Sequence, residues 1–227
     1  MGDADGVPKG ARATDAFGAG WRRPWHKRLG SRLLLWRYSL WHPKQPKLAP
    51  GAVARIGEVL PECRTGLEWG AGRSTLWLAD RLESLTSVEN SARWHDWVTT
   101  KLARRGAGHA VCLLRDPRAE PQEQSPYVRV ADQFGDGTID FCLIDGRARV
   151  HCANAVVPKM APGGVLVLDD AQRYLSPEPN GDGISVSRRP NVVAGWDDFA
   201  AKVSAWPCEW FPSPARCTAL WTRPLQP

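Results

Sequence analysis

One run, Leu67-Glu68-Trp69-Gly70-Ala71-Gly72-Arg73-Ser74-Thr75, constrains this chain more than any other. An apolar stretch leads into two glycines, and a helix-compatible stretch follows, so the run predicts a strand, a tight turn and a helix. Gly70 and Gly72 let the backbone pass close to a ligand where a Cβ would collide, and the helix behind them opens on free N–H groups. A second predicted strand ends in Thr86-Ser87-Val88-Glu89. Its last residue stands where a carboxylate can accept both hydroxyls of a ribose. The two signals together point to a cofactor containing adenosine.

The residues around the turn narrow the choice of cofactor. A dinucleotide site needs a third close-approach glycine and keeps negative side chains away from the pyrophosphate. Here the third position is Ser74 or Thr75, and Glu68 stands at the strand end. A carboxylate there would repel phosphate and attract a cation, such as the ammonium or sulfonium end of S-adenosylmethionine. The pattern Glu68-x-Gly70-x-Gly72-x-Ser74-Thr75, followed by Ser87-Val88-Glu89, resembles the first two motifs of class I S-adenosylmethionine-dependent methyltransferases. That resemblance implies that Glu68, Gly70, Gly72 and Ser74 hold the methionyl part of the donor, that Glu89 holds the ribose, and that Asp145 lies at the reacting end.

The second half of the chain extends the likeness. Ile139-Asp140-Phe141-Cys142-Leu143-Ile144-Asp145 reads as a buried strand ending in an acid, and Pro162-Gly163-Gly164-Val165-Leu166-Val167-Leu168-Asp169-Asp170 as a turn, a strand and two acids. Both resemble the fourth and fifth strands of that family. In a doubly wound sheet the strand carboxyl ends meet at one rim, so Glu68, Glu89, Asp145, Asp169 and Asp170 are expected to converge there. The resemblance spans roughly residues 62 to 223. It implies an α/β fold with a doubly wound, mostly parallel seven-stranded sheet, the Rossmann-like methyltransferase fold, closed by an antiparallel hairpin. Residues 51–227 would form this domain, and residues 1–50 an N-terminal helical extension.

Methyl transfer from a sulfonium needs an aligned nucleophile more than elaborate catalysis, because the leaving group is already activated. Asp145, Asp169 and Asp170 offer hard oxygen ligands of the kind Mg²⁺ prefers, and a metal would stabilise an alkoxide or phenolate acceptor. Their positions look like those of the metal-binding acids in divalent-cation-dependent O-methyltransferases. The chain departs from both patterns it resembles: Ala148 stands where catechol-type enzymes have a lysine, and Arg147 where sugar-type enzymes have a second acid. The alternative is a metal-free site in which Asp145 orients the donor or accepts a proton and the acid after the fifth strand caps a loop. His151 is a second candidate base. Arg147, Arg149 and Arg173 would either neutralise these acids or bind a carboxylate or phosphate on the acceptor. Trp94 and Trp97 read as packing on a helix face.

Charge is unevenly placed. Arg22, Arg23, Lys27, Arg28, Arg32, Arg37, Lys44 and Lys47 share a segment with no acid, and that segment accounts for the whole formal net charge of +6. Leu29, Leu33, Trp36 and Leu40 predict an amphipathic helix over 27–41, suited to a lid over the strand rim or to the contact of a homodimer. Residues 1–16 lack the apolar content to fold. No apolar run approaches the ~18 residues of a membrane span, and no signal-peptide pattern follows Met1, so a cytoplasmic protein is expected. The six cysteines show no Cys-x-x-Cys spacing and read as reduced, mostly buried thiols. The tetrapeptide that accompanies adenine flipping is missing, which argues against nucleic acid as the acceptor and for a small molecule. Two other readings stay open: an aminopropyltransferase-like enzyme, or a catalytically silent adapter using its basic helix to bind an acidic partner or membrane.

Overall fold

The computed structural model describes residues 42, 44–177, 184–186, 194–213 and 216–225. The amphipathic helix expected over 27–41 and the segment 1–16 lie outside the described residues. The five core strands are β1 (Thr65–Trp69), β2 (Ser84–Glu89), β3 (Ala110–Leu114), β4 (Ile139–Ile144) and β5 (Met160–Leu168). They alternate with α1 (Pro50–Val59), α2 (Arg73–Ala79), α3 (Ala92–Arg104) and α4 (Arg149–Val156). α4 stops at Val156, and a 3₁₀ turn over Val157–Lys159 follows it. Pro158 lies in that turn and cannot supply the N–H a further α turn needs. After β5 comes a short antiparallel pair of β6 (Leu175–Pro177) and β7 (Ile184–Val186). Then follow α5 (Trp196–Lys202), β8 (Cys208–Pro212) and β9 (Cys217–Thr222).

The main sheet has seven strands in the order β3-β2-β1-β4-β5-β9-β8. The first five run parallel, whereas β9 pairs antiparallel with both β5 and β8. The chain winds outward from β1 to β3 and then returns to lay β4 on the other side of β1. That reversal opens a crevice at the carboxyl ends of β1 and β4, where ligands bind in sheets of this kind. Register fixes the crevice: Trp69 lies level with Val88 and with Ile144, and Ile144 with Leu168.

Both faces of the sheet are covered, because successive side chains of a strand point to opposite sides. Leu67, Trp69, Cys142, Ile144, Leu166 and Leu168 pack in one cluster with Val150 and Val156 of α4 and Trp196 and Phe199 of α5. Phe141, Leu143, Val165 and Val167 join the opposite cluster with Ile56 of α1, Leu76 of α2 and Val98 of α3. Three layers result, and the strand ends are held by core packing rather than by loops. All six cysteines are free, and burial raises the thiols of Cys63, Cys112, Cys142 and Cys152. No helix among the described residues is long and apolar enough to cross a membrane.

Candidate active site

A cavity of about 1080 Å³ opens along this rim, walled by the turn from Gly70 to Ser74, by Glu89, and by the loop from Asp145 to Arg149. Gly70 has φ +99°, and a Cβ there would lie 2.8 Å from the backbone of Asp145. The two loops meet because Asp145 N–H donates to the Trp69 carbonyl at 2.9 Å. Only glycine fits that crossing. Gly72 differs: it is extended, and a Cβ would meet no protein atom within 4 Å, so the space in front of it belongs to the cavity.

Glu68 is fully buried under the turn and does not line the cavity wall. Its Oε2 accepts from Thr75 Oγ1 at 2.5 Å and from Ser87 Oγ at 2.6 Å, while Thr75 Oγ1 in turn accepts from Gly72 N–H at 2.9 Å. Burial pushes its carboxyl above the usual range, with the hydroxyls of Ser74, Ser87 and Thr75 opposing. Oε1 is buried without a hydrogen-bond partner. Glu89, at the tip of β2, accepts from the backbone N–H groups of Asn90 (2.9 Å) and Ser91 (2.7 Å), both on Oε1. These bonds aim the carboxylate and leave Oε2 for a ligand. A glycine turn with open space before it, an orphaned buried acceptor and a carboxylate on the next strand fit an adenosyl donor with a cationic end.

Comparison with known proteins agrees with this geometry. The family model described as a methyltransferase domain matches residues 67–171, the stretch holding the turn, Glu89 and Asp145. Residues 67–171 form a methyltransferase domain. In solved structures the methyltransferase is similar to one from Geobacter sulfurreducens, at 11% identity and a TM-score of 0.54, covering 87% of this chain and 90% of that one. It is also similar to yhhF of Escherichia coli, at 13% identity and a TM-score of 0.50, covering 80% and 87%. At such identities the likeness is one of fold. No curated protein matches the methyltransferase.

The acids after β4 and β5 are not arranged as expected. Asp145 Oδ1 accepts from Arg149 at 2.8 Å, and the same guanidinium donates to the carbonyls of Gly146 and Asp169. Burial and the nearby Asp169 carboxylate raise the Asp145 carboxyl to about 7, with Arg149 and Arg216 opposing. Asp169 is 1% exposed and has both oxygens engaged, Oδ1 by Thr218 Oγ1 at 2.7 Å and Oδ2 by Arg216 at 3.0 Å. Asp170 pairs with Arg173 at 3.1 Å. Among the described residues, no three His, Cys, Asp or Glu side chains are placed to hold a metal ion. The methyltransferase therefore does not fit the expected Mg²⁺ set of Asp145, Asp169 and Asp170: each acid already faces a guanidinium, and Asp169 is closed off inside the β5–β9 seam.

His151, expected as a second base, lies in a separate hollow with Glu123, Asp132 and Asn154, its Nδ1 3.7 Å from Glu123 Oε2. Arg149 and His151 are two residues apart on α4, about 200° around the helix, so only Arg149 reaches the rim. Trp94 and Trp97, expected to pack on a helix face, are 48% and 36% exposed and line the cavity beside Glu89, their rings edge to face at 5.5 Å. Their position in the first turns after Glu89, the acid that ends β2, was the available signal. The other aromatic wall left no local signal: Tyr174 stacks on Trp196 at 4.7 Å, and only the fold brings the two together.

Proposed function

We propose that this methyltransferase moves a methyl group to an oxygen of a small molecule, with Asp145 as the general base and without a divalent ion. Asp145 carries the reading. It is the carboxylate on the cavity wall at the β4 end, one of its oxygens is fixed by Arg149, and its surroundings hold its proton affinity near neutral. A base so poised accepts a hydroxyl proton efficiently at cellular pH. S-adenosylmethionine, when bound, supplies an activated methyl, whose bond electrons return to sulfur as the new C–O bond forms. Glu89 would hold the ribose, the Gly70–Gly72 turn would admit the methionyl part, and Glu68, buried beneath the turn, would hold Thr75 and Gly72 in place around it. Ser74 would contribute from the wall of the turn. A cavity of about 1080 Å³ has room for the donor together with a small acceptor.

Calorimetry with S-adenosylhomocysteine tests the donor site first. Saturable binding, with stabilisation of about 2.7 kcal/mol at ~100 times Kd, is expected. No heat and no thermal shift at millimolar ligand would refute the reading and favour a silent adapter. Turnover of a hydroxylated acceptor by S-adenosylmethionine in excess chelator then tests the metal-free chemistry, and complete loss of turnover under chelation would overturn it.

A further inference from the structure

We propose that the acceptor is a small anion, whose carboxylate or phosphate is received by Arg147 at the mouth of the cavity beside the Tyr174–Trp196 wall. This rests on the methyl-transfer reading and adds the acceptor's chemical class.

The cations of the rim divide by what they already hold. Arg149 is committed to Asp145 and to the carbonyls of Gly146 and Asp169. Arg173 pairs with Asp170 at 3.1 Å, although its side chain stays 61% exposed. Arg93, exposed on α3, and Arg147 are cavity-lining arginines that pair with no described acid in this way, and of the two Arg147 lies on the loop of Asp145. The Arg147 backbone N–H donates to the Tyr127 hydroxyl at 3.2 Å, which fixes where the residue leaves the loop, and its exposed side chain forms no ion pair with any described residue. It lines the cavity two residues beyond the proposed base. Lys47 lines the same wall, its carbonyl held by Arg216.

Against these cations the described residues of the cavity wall offer two carboxylates, Glu89 and Asp145. The donor makes the imbalance worse: with a sulfonium, an ammonium and one carboxylate it carries a net positive charge. A neutral acceptor would leave the loaded cleft with uncompensated positive charge at close range, which an anion relieves. Guanidinium binds carboxylate and phosphate through paired N–H donors, so Arg147 provides orientation as well as attraction. Transfer discharges the sulfonium, so the methylated anion is held less tightly than the substrate and release is favoured. Tyr174, backed by the buried Trp196, offers a flat ring on the same cavity wall, which suits an acceptor with a planar body.

The test uses the full-length protein saturated with S-adenosylhomocysteine. Benzoate and phenyl phosphate are titrated calorimetrically against their neutral counterparts, benzamide and phenol. At least one anion is expected to bind roughly tenfold or more tightly than its neutral partner, and the two arms separate a carboxylate site from a phosphate site. Arg147→Gln should abolish the preference while leaving S-adenosylhomocysteine affinity within a few-fold. Absence of any preference for the anions, or a preference that survives Arg147→Gln, overturns the proposal. Failure of S-adenosylhomocysteine itself to bind is a separate result, and it refutes the methyl-transfer reading beneath this one.

Discussion

Thr218 donates its hydroxyl to Asp169 across the seam between β9 and β5, at 2.7 Å, and the same hydroxyl oxygen accepts the Ala49 N–H at 3.2 Å. The acid that ends β5 therefore ties the last strand of the sheet to the linker before α1. Asp169→Ala should destabilise the protein by about 2–4 kcal/mol in urea unfolding, since it leaves the Arg216 charge and the Thr218 hydroxyl without their buried partner. Thr218→Val should cost about 1–3 kcal/mol. Chelators should leave the melting temperature and donor binding unchanged. A chelator-sensitive melting temperature would restore the metal.

Glu89→Ala should weaken S-adenosylhomocysteine binding by about 1.5–3 kcal/mol, the worth of a hydrogen bond to a charged group. Calorimetry reads this directly. Unchanged affinity would place the ribose elsewhere on the rim.

The two turn glycines should separate folding from binding. Gly70→Ala forces a side chain into positive φ and against the Asp145 backbone, so it should lower stability by more than ~2 kcal/mol. A Cβ at Gly72 meets no protein atom and intrudes only on the cavity. Gly72→Ala should then leave unfolding nearly unchanged and weaken donor binding roughly tenfold or more. Equal effects of the two variants on stability would contradict this division.

Asp145 sets a pH signature with a definite sign. Its folded carboxyl titrates near 7, above the ordinary ~3.9, because burial and Asp169 favour the protonated form. Between these values the native state binds more protons than the unfolded chain, so its contribution to stability falls as pH rises from about 4 to 7. The proton-accepting form grows over the upper part of the same window. Melting temperature followed from pH 4 to 8 should decline more steeply for the wild type than for Asp145→Asn. Parallel curves for the two proteins would show that Asp145 titrates normally.

The sheet, the glycine turn and the acid at the end of β2 were legible because their signals are local. Short apolar runs mark β1, β4 and β5, continuous in β4 and β5, and the Gly70 turn and Glu89 sit at fixed offsets from strand ends. The acids after β5 were misread for the opposite reason. The partners that engage Asp169, Arg216 and Thr218, lie 47 and 49 residues away in sequence, and no pattern around Asp169 announces a neutralised carboxylate. His151 failed on helix phase, which shifts with a single residue in the start of α4. The β6–β7 pair escaped because three-residue strands in a polar, Pro/Gly-bounded stretch leave no periodicity to read.

The position of β9 between β5 and β8 also sets an order of events during synthesis. The ribosome delivers β5 and its terminal acid well before residues 216–222, yet the sheet cannot close on β5 until β9 is available to be inserted. Until then a nascent chain holds Asp169 without Arg216 or Thr218, at an open apolar sheet edge. Such an edge is exposed to wrong pairing and aggregation. Premature termination just before Arg216 should thus yield an insoluble product, even though every residue of the glycine turn has been made.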